Sequence, residues 1–166
     1  MILDATLPRT DRVGMASGRD RPYYSGRHKA HGVNVEVIAD PAGRPVWISP
    51  AQPGAHHDIG AAREHGIIDA LTHSSVTSIA DTAYQSGGPL VRVPQRRRRL
   101  DPDTGRYRQL SQAQRDINVA PARRRGPGER VNAELKNRRI LRKIRSSPCR
   151  ASELVVAVQP LMVAST

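Results

Sequence analysis

Gly32-Val33-Asn34-Val35-Glu36-Val37-Ile38-Ala39, followed by Asp40-Pro41-Ala42-Gly43 and then Arg44-Pro45-Val46-Trp47-Ile48-Ser49, is the stretch that sets the fold class. Val33, Val35 and Val37 alternate with Asn34, Glu36 and Ile38. That is the period-2 pattern of a half-buried strand. Asp40 to Gly43 is a run of turn residues, and Arg44 to Ser49 reads as a second strand, so the pair predicts a hairpin. Pro50 to Gly54 breaks the second strand.

On the N-terminal side of the hairpin, Pro8 to His31 is rich in Gly, Pro, Arg and Ser, lacks periodicity and reads as a loop or arm. Before it, Met1-Ile2-Leu3-Asp4-Ala5-Thr6 reads as the end of a strand. Only three residues precede Asp4, where a strand averages about 5–6, so a truncated first strand is expected. On the C-terminal side, His57 or Asp58 is placed to cap a helix running to about Leu71, with Ile59, Ala62, Gly66 and Ala70 on one face. Val76 to Ala80 is a short apolar run ending at Asp81, and Leu90 to Val93 is another strand candidate.

Gln95 to Arg108 is a basic, turn-rich excursion. Ser111 to Arg125 reads as a helix capped by Ser111, with Gln114 three residues on. Gly126-Pro127-Gly128 is expected to interrupt it, and Glu129 to open a second helix. Val131 and Leu135 share one face, whereas Ile140, Leu141 and Ile144 lie on another, which predicts a bend or register change near Asn137. Ala151 to Ala164 reads as an apolar helix that Pro160 should end or kink. The order of elements is that of an α/β fold, a mixed sheet flanked by helices. It divides into a domain over 1–150, with its basic excursion at 95–110, and a C-terminal helix or tail over 151–166.

Three carboxylates stand out as candidate metal ligands. Asp4 and Asp81 end the two apolar runs, and Glu129 opens the predicted second helix. Parallel pairing of the strands ending at Asp4 and Asp81 would set both at one sheet edge, where active groups of α/β sheets gather. Oxygen donors so placed suit the divalent ions used in phosphodiester chemistry. Glu129 has a plain competing role, since acids in a first helical turn oppose the dipole. Glu134, five residues on, is a rival on another face. In His56-His57-Asp58, adjacent histidines rarely ligate one ion, and helix capping by Asp58 is the simpler reading. Tyr84 is expected to pack beside Asp81.

Charge is the loudest signal in the composition. The 166 residues carry a formal net charge of +12. Residues 92–150 hold 19 Lys and Arg against 5 Asp and Glu, a net of +14, and the remainder is at −2. A field so concentrated fits a polyanion, because neutralising phosphates releases counterions. It would also fit an anionic membrane surface. Arginine outnumbers lysine 24 to 3, and its planar fork matches phosphate geometry. Candidate phosphate contacts are Arg96, Arg97, Arg98, Arg99, Arg123, Arg124, Arg125, Arg130, Lys136, Arg138 and Arg139. A lone cysteine, Cys149, excludes an intrachain disulfide and points to a reducing compartment. No apolar run approaches the roughly 18 residues of a membrane span, and no signal pattern opens the chain. The expectation is a cytoplasmic, nucleoid-associated protein with no membrane partner and no small-molecule substrate.

Several blocks together resemble the nuclease domain of the DDE transposases, specifically the IS5-like group of bacterial insertion elements, over roughly Ile2 to Arg150. Asp4-Ala5-Thr6 with Asp11-Arg12-Val13 resembles the first block, and Ala80-Asp81-Thr82-Ala83-Tyr84-Gln85 the second. Tyr24-Ser25-Gly26-Arg27-His28-Lys29, His31-Gly32-Val33-Asn34-Val35 and Pro53-Gly54-Ala55-His56-His57-Asp58 resemble the hairpin region. Glu129-Arg130 with Lys136 resembles the third. Ala5 and Ala83 stand where the family usually has glycine.

The resemblance implies an RNase H-like fold and a triad of Asp4, Asp81 and Glu129, separated by 77 and 48 residues, holding two ions of Mg²⁺ or Mn²⁺. It implies DNA strand cleavage followed by transfer of the freed 3′ end, by a homo-oligomer assembled on DNA. Two other readings stay open: a catalytically inactive, truncated remnant that binds DNA non-specifically, and a basic protein associated with RNA or the ribosome.

Overall fold

The computed structural model describes residues 1–11, 18–96, 100–145 and 147–164, the side chains of residues 149 and 163 aside. A mixed sheet is built from β1 (Ile2–Thr6), β5 (Val33–Ala39), β6 (Pro45–Ile48), β8 (Ser78–Ile79) and β9 (Val91–Arg92), in the order β6-β5-β1-β8-β9. The β5–β6 hairpin predicted from the valine alternation is present, and β5 pairs antiparallel with β1. On the other side of β1, β8 runs parallel with Ile2 opposite Ile79, and β9 continues parallel to β8. Short strands β2 (Arg9–Thr10), β3 (Tyr24–Ser25) and β4 (Ala30–His31) occupy part of the stretch read as a loop or arm; β3 and β4 form a small hairpin. The Arg12 and Val13 of the first block lie outside the described residues. Strand β7 (Gln52–Pro53) joins β5, and β10 (Lys143–Ile144) pairs with β2.

Helices cover both faces. Helices α1 (Asp58–Glu64) and α2 (Ile67–His73) bury Ala62, Ile67 and Leu71 with Leu3, Ala80, Tyr84 and Val91. On the opposite face, α3 (Gln112–Asn137), α4 (Arg139–Arg142) and α5 (Ala151–Val163) bury Val131, Leu135, Leu141, Val155, Val158 and Met162 against Ile2, Val33, Val35, Val37 and Ile48. The sheet is therefore buried on both sides, as parallel pairing requires. Among the described residues no helix is long and apolar enough to cross a membrane.

The fold departs from the sequence expectations in several places. Asp4 sits in the middle of β1 rather than at its end, because Ala5 and Thr6 continue the ladder opposite Glu36 and Val35. Strand β5 is not half-buried. Asn34 and Glu36, its polar set, are enclosed under α1, at 4 % and 0 % exposure. The helix predicted from residue 58 to 71 is two helices, broken where Gly66 takes a left-handed φ of 69°. Nor does Gly126-Pro127-Gly128 interrupt α3, which runs unbroken for 26 residues and contains both Pro121 and Pro127.

Each of those prolines removes a backbone donor and costs a helix interior about 3 kcal/mol. Three features offset that cost. A capping box at Ser111 and Gln114 fixes the start. Val131 and Leu135 lock the far half into the core. Between them Gly128 lies directly on β1: a Cβ there would stand 2.5 Å from Ile2 Cγ2. Pro160 likewise fails to end α5, which runs on to its buried anchor Met162. The break predicted near Asn137 is present, where α3 gives way to α4.

The two glycines of that motif separate helix propensity from packing. Nothing lies within 4 Å of a Cβ built on Gly126. Gly126→Ala is expected to stabilise the protein by up to about 1 kcal/mol. Gly128→Val is expected to destabilise it by about 1–3 kcal/mol through overpacking against Ile2. Denaturant melts of both variants check this, and equal effects would remove the close approach.

Candidate functional site

Asp4, Asp81 and Glu129, remote in sequence, line one cleft of about 510 Å³. The sheet register brings the first two together: each lies two residues beyond the paired Ile2 and Ile79. The third comes from α3, whose positions 125, 129, 132 and 136 fall on one side of the helix. Arg125, Glu129, Asn132 and Lys136 all face this cleft. The inward residues Gly128, Val131 and Leu135 set that rotation by packing on the sheet.

Each carboxylate has a defined setting. The Asp4 Oδ1 accepts from its neighbour's N–H, Ala5, at 3.0 Å, and its Oδ2 accepts from Asn132 Nδ2 at 3.0 Å. The Asp81 Oδ1 accepts from Ala83 N–H at 2.7 Å, capping a 3-10 turn over Thr82–Tyr84. Ala83 has no left-handed φ, and neither has Ala5, so alanine costs neither site backbone strain. Glu129 lies inside a helix, not at its start, so opposing the helix dipole is not its role. Its side chain is 64 % exposed and meets Arg125 Nη2 at 3.9 Å; the same Nη2 is 3.7 Å from Asp4 Oδ2.

A fourth acid belongs to the group. Asp58 is the first residue of α1, not its cap; His57 holds the cap position and makes no side-chain cap bond. Asp58 instead accepts from Asn34 Nδ2 at 3.0 Å and from Arg27 Nη1 at 2.6 Å. Arg27 reaches Asp81 Oδ2 with its other nitrogen, at 2.8 Å. Two guanidiniums thus lie among four carboxylates. Burial pushes Asp4 and Asp58 up from the ordinary carboxylate range, against Arg125 for Asp4 and Arg27 for Asp58, which pull them down; the charge of Asp81 raises both.

The donor set has the chemistry that a hard divalent cation takes, carboxylate oxygens partly neutralised. Buried Asn132 Oδ1 and Asn34 Oδ1, beside Asp4 and Asp58, have no hydrogen-bond partner among the described residues. The positions held here are a different matter. Among the described residues no three histidine, cysteine or acidic side chains are grouped closely enough to hold one ion, and guanidiniums stand within ion-pairing distance of Asp81 and Asp4.

The remaining cations spread over several surfaces. Arg96 lies in a larger groove beside the cleft, with Tyr107 and His57. Arg123 and Arg124 line a depression near Ile2 and Pro41. Arg130 is exposed on α3, and Arg138 caps its C-terminus. Arg139 faces a groove with Arg142, Lys143 and Arg145. Arg97, Arg98 and Arg99 lie outside the described residues. The basic excursion is pinned at its base, where Gln95 and Asn118 exchange two hydrogen bonds of 2.8 and 2.9 Å.

Behind the cleft, Glu36 accepts from the Tyr84 hydroxyl at 2.5 Å, and both side chains are fully buried. Tyr84 packs as expected, with this bond in addition. Burial pushes the Glu36 carboxyl up to about 9, although the Tyr84 hydrogen bond pulls it down. Folded Glu36 is protonated at neutral pH and must ionise when the chain unfolds. Its contribution to stability is complete below the ordinary carboxylate range and is lost as pH rises towards about 9. Wild type should therefore lose stability across that window, and Glu36→Gln should flatten the loss. Denaturant melts at about pH 5 and pH 9 check the sign. Parallel profiles for the two proteins would contradict a buried neutral acid.

A family model described as DDE superfamily endonuclease matches residues 3–162. No curated protein and no solved structure matches the chain. With nearly every residue inside that match, Asp4, Asp81 and Glu129 among them, the chain belongs to the DDE superfamily endonucleases.

Proposed function

We propose that this protein is the catalytic domain of an IS5-like DDE transposase, cutting DNA strands and joining the freed 3′ ends with the help of Mg²⁺ or Mn²⁺. One observation carries the reading: Asp4, Asp81 and Glu129 converge on a single cleft that Arg125 and Lys136 border. The sheet order, with an antiparallel hairpin on one side of β1 and parallel strands on the other, supports an RNase H-like fold.

In this reading Asp4 and Asp81 would hold one ion or share two, with Glu129 completing the second position. Bound there, divalent ions supply an activated water or 3′-hydroxyl and charge stabilisation at the leaving oxygen. Asn132 orients the Asp4 carboxylate, and the Ala83 N–H orients that of Asp81. Lys136 and Arg142, on the cleft wall, hold the phosphate backbone. Arg96 extends that contact along the neighbouring groove.

Nicking of supercoiled DNA in Mg²⁺ tests the chemistry. Asp81→Asn should cut about a hundredfold more slowly or worse, the loss that several kcal/mol of transition-state stabilisation implies. Equal cutting by both proteins would remove the triad. A second reading, a DNA-binding remnant without activity, is favoured by the guanidiniums standing among the carboxylates. It predicts DNA binding and no cutting by either protein. Binding itself should be electrostatic: Lys136→Ala should weaken it uniformly across sequences and lower the salt slope by about one. A sequence-selective loss would contradict a phosphate contact.

A further inference from the structure

We propose that Arg27 is a displaceable internal counter-ion, which holds Asp58 and Asp81 in place of a divalent cation and turns to the DNA phosphate once released. The proposal rests on the nuclease reading above. Arg27 Nη1 and Nη2 take one carboxylate each, at 2.6 Å from Asp58 and 2.8 Å from Asp81. The carboxylates are recessed, with side chains 15 % and 11 % exposed, whereas that of Arg27 is 57 % exposed. The guanidinium is thus the solvent side of the cluster and leaves it without unpacking the core. Its fork makes the bridge possible, because one planar group serves two acids.

Charge gives the exchange its driving force. Asp4, Asp58, Asp81 and Glu129 are ion-paired with Arg27 and Arg125 among the described residues, and a divalent ion replacing Arg27 between Asp58 and Asp81 brings twice its charge. Arg27 also divides the surface. It lines both the carboxylate cleft and the larger groove of about 1190 Å³ that holds Arg96, His57 and Tyr107. Once turned away from Asp81, it is placed to meet a nucleic-acid strand running from one into the other. Asp58 is then a positioning residue: with Asn34 holding it at 3.0 Å, it fixes where Arg27 waits.

Calorimetric titration of the full chain with Mn²⁺ alone tests this. Arg27→Gln should tighten Mn²⁺ binding about tenfold, since a charge-assisted competitor is gone. Arg27→Lys, a point charge unable to span both acids, should fall between the two. The same Arg27→Gln protein should bind a DNA duplex more weakly than wild type when Mn²⁺ is present, and equally without it. Mn²⁺ affinity unchanged in both variants would overturn the counter-ion role and leave the nuclease reading standing. Absence of Mn²⁺ binding to wild type and both variants would overturn the two together.

Discussion

A short piece of parallel ladder, Ile2 beside Ile79, holds the site together. It joins the N-terminal strand to a segment more than seventy residues away, and the aspartates follow from it at matching steps. That pairing depends in turn on burial from both faces. Leu3 is enclosed beneath α2, and Ile2 beneath α3, so β1 has no solvent side on which to slip. A one-residue slip would turn Asp4 away from Asp81 and α3 and drive Leu3 into the wrong layer. The hydrophobic core thus fixes the relative positions of charged groups that repel one another.

Helix α3 performs the complementary task. Its inner side is small or aliphatic, and one flank carries Arg125, Glu129, Asn132 and Lys136 at helical spacing. Like charges gathered in a partly buried cleft are costly unless neutralised. Here the chain supplies its own cations: Arg125 stands near Asp4 and Glu129, and Arg27 bridges Asp58 and Asp81. The cluster is thereby partly neutralised from within the chain. Glu36 is accommodated differently: its burial favours the neutral acid.

Much of this was legible in the residues. The valine alternation gave the hairpin, the apolar runs gave the strands before Asp81 and at Val91, and Ser111 with Gln114 marked the start of α3. Alternation with valines predicts a half-buried strand, with Asn34 and Glu36 on its open side. A polar strand face looks the same in sequence whether water or a polar site covers it. Gly126-Pro127-Gly128 read as a break because local propensity says so. Its continuity comes from contact with Ile2, which no local pattern encodes. Arg27 falls in a block that only the resemblance singles out, within a stretch whose lack of periodicity gives it no place in the fold. Asn132 had a findable signal, three residues after Glu129 and seven after Arg125 on one helix flank. At Asp58 the sequence leaves a helix cap and a place in the metal site both open, since helix starts and buried ion pairs draw on the same residue types.

Register and helix rotation bring Asp4, Asp81 and Glu129 to one cleft, and the proposed function requires a divalent cation to bind there. Anomalous diffraction from crystals soaked in Mn²⁺ tests it most directly. Anomalous density between the Asp4 and Asp81 carboxylates, with Arg27 turned away from Asp81, is the expected result. Density confined to other surface acids, or its absence from the cleft with Arg27 still bridging Asp58 and Asp81, would contradict it.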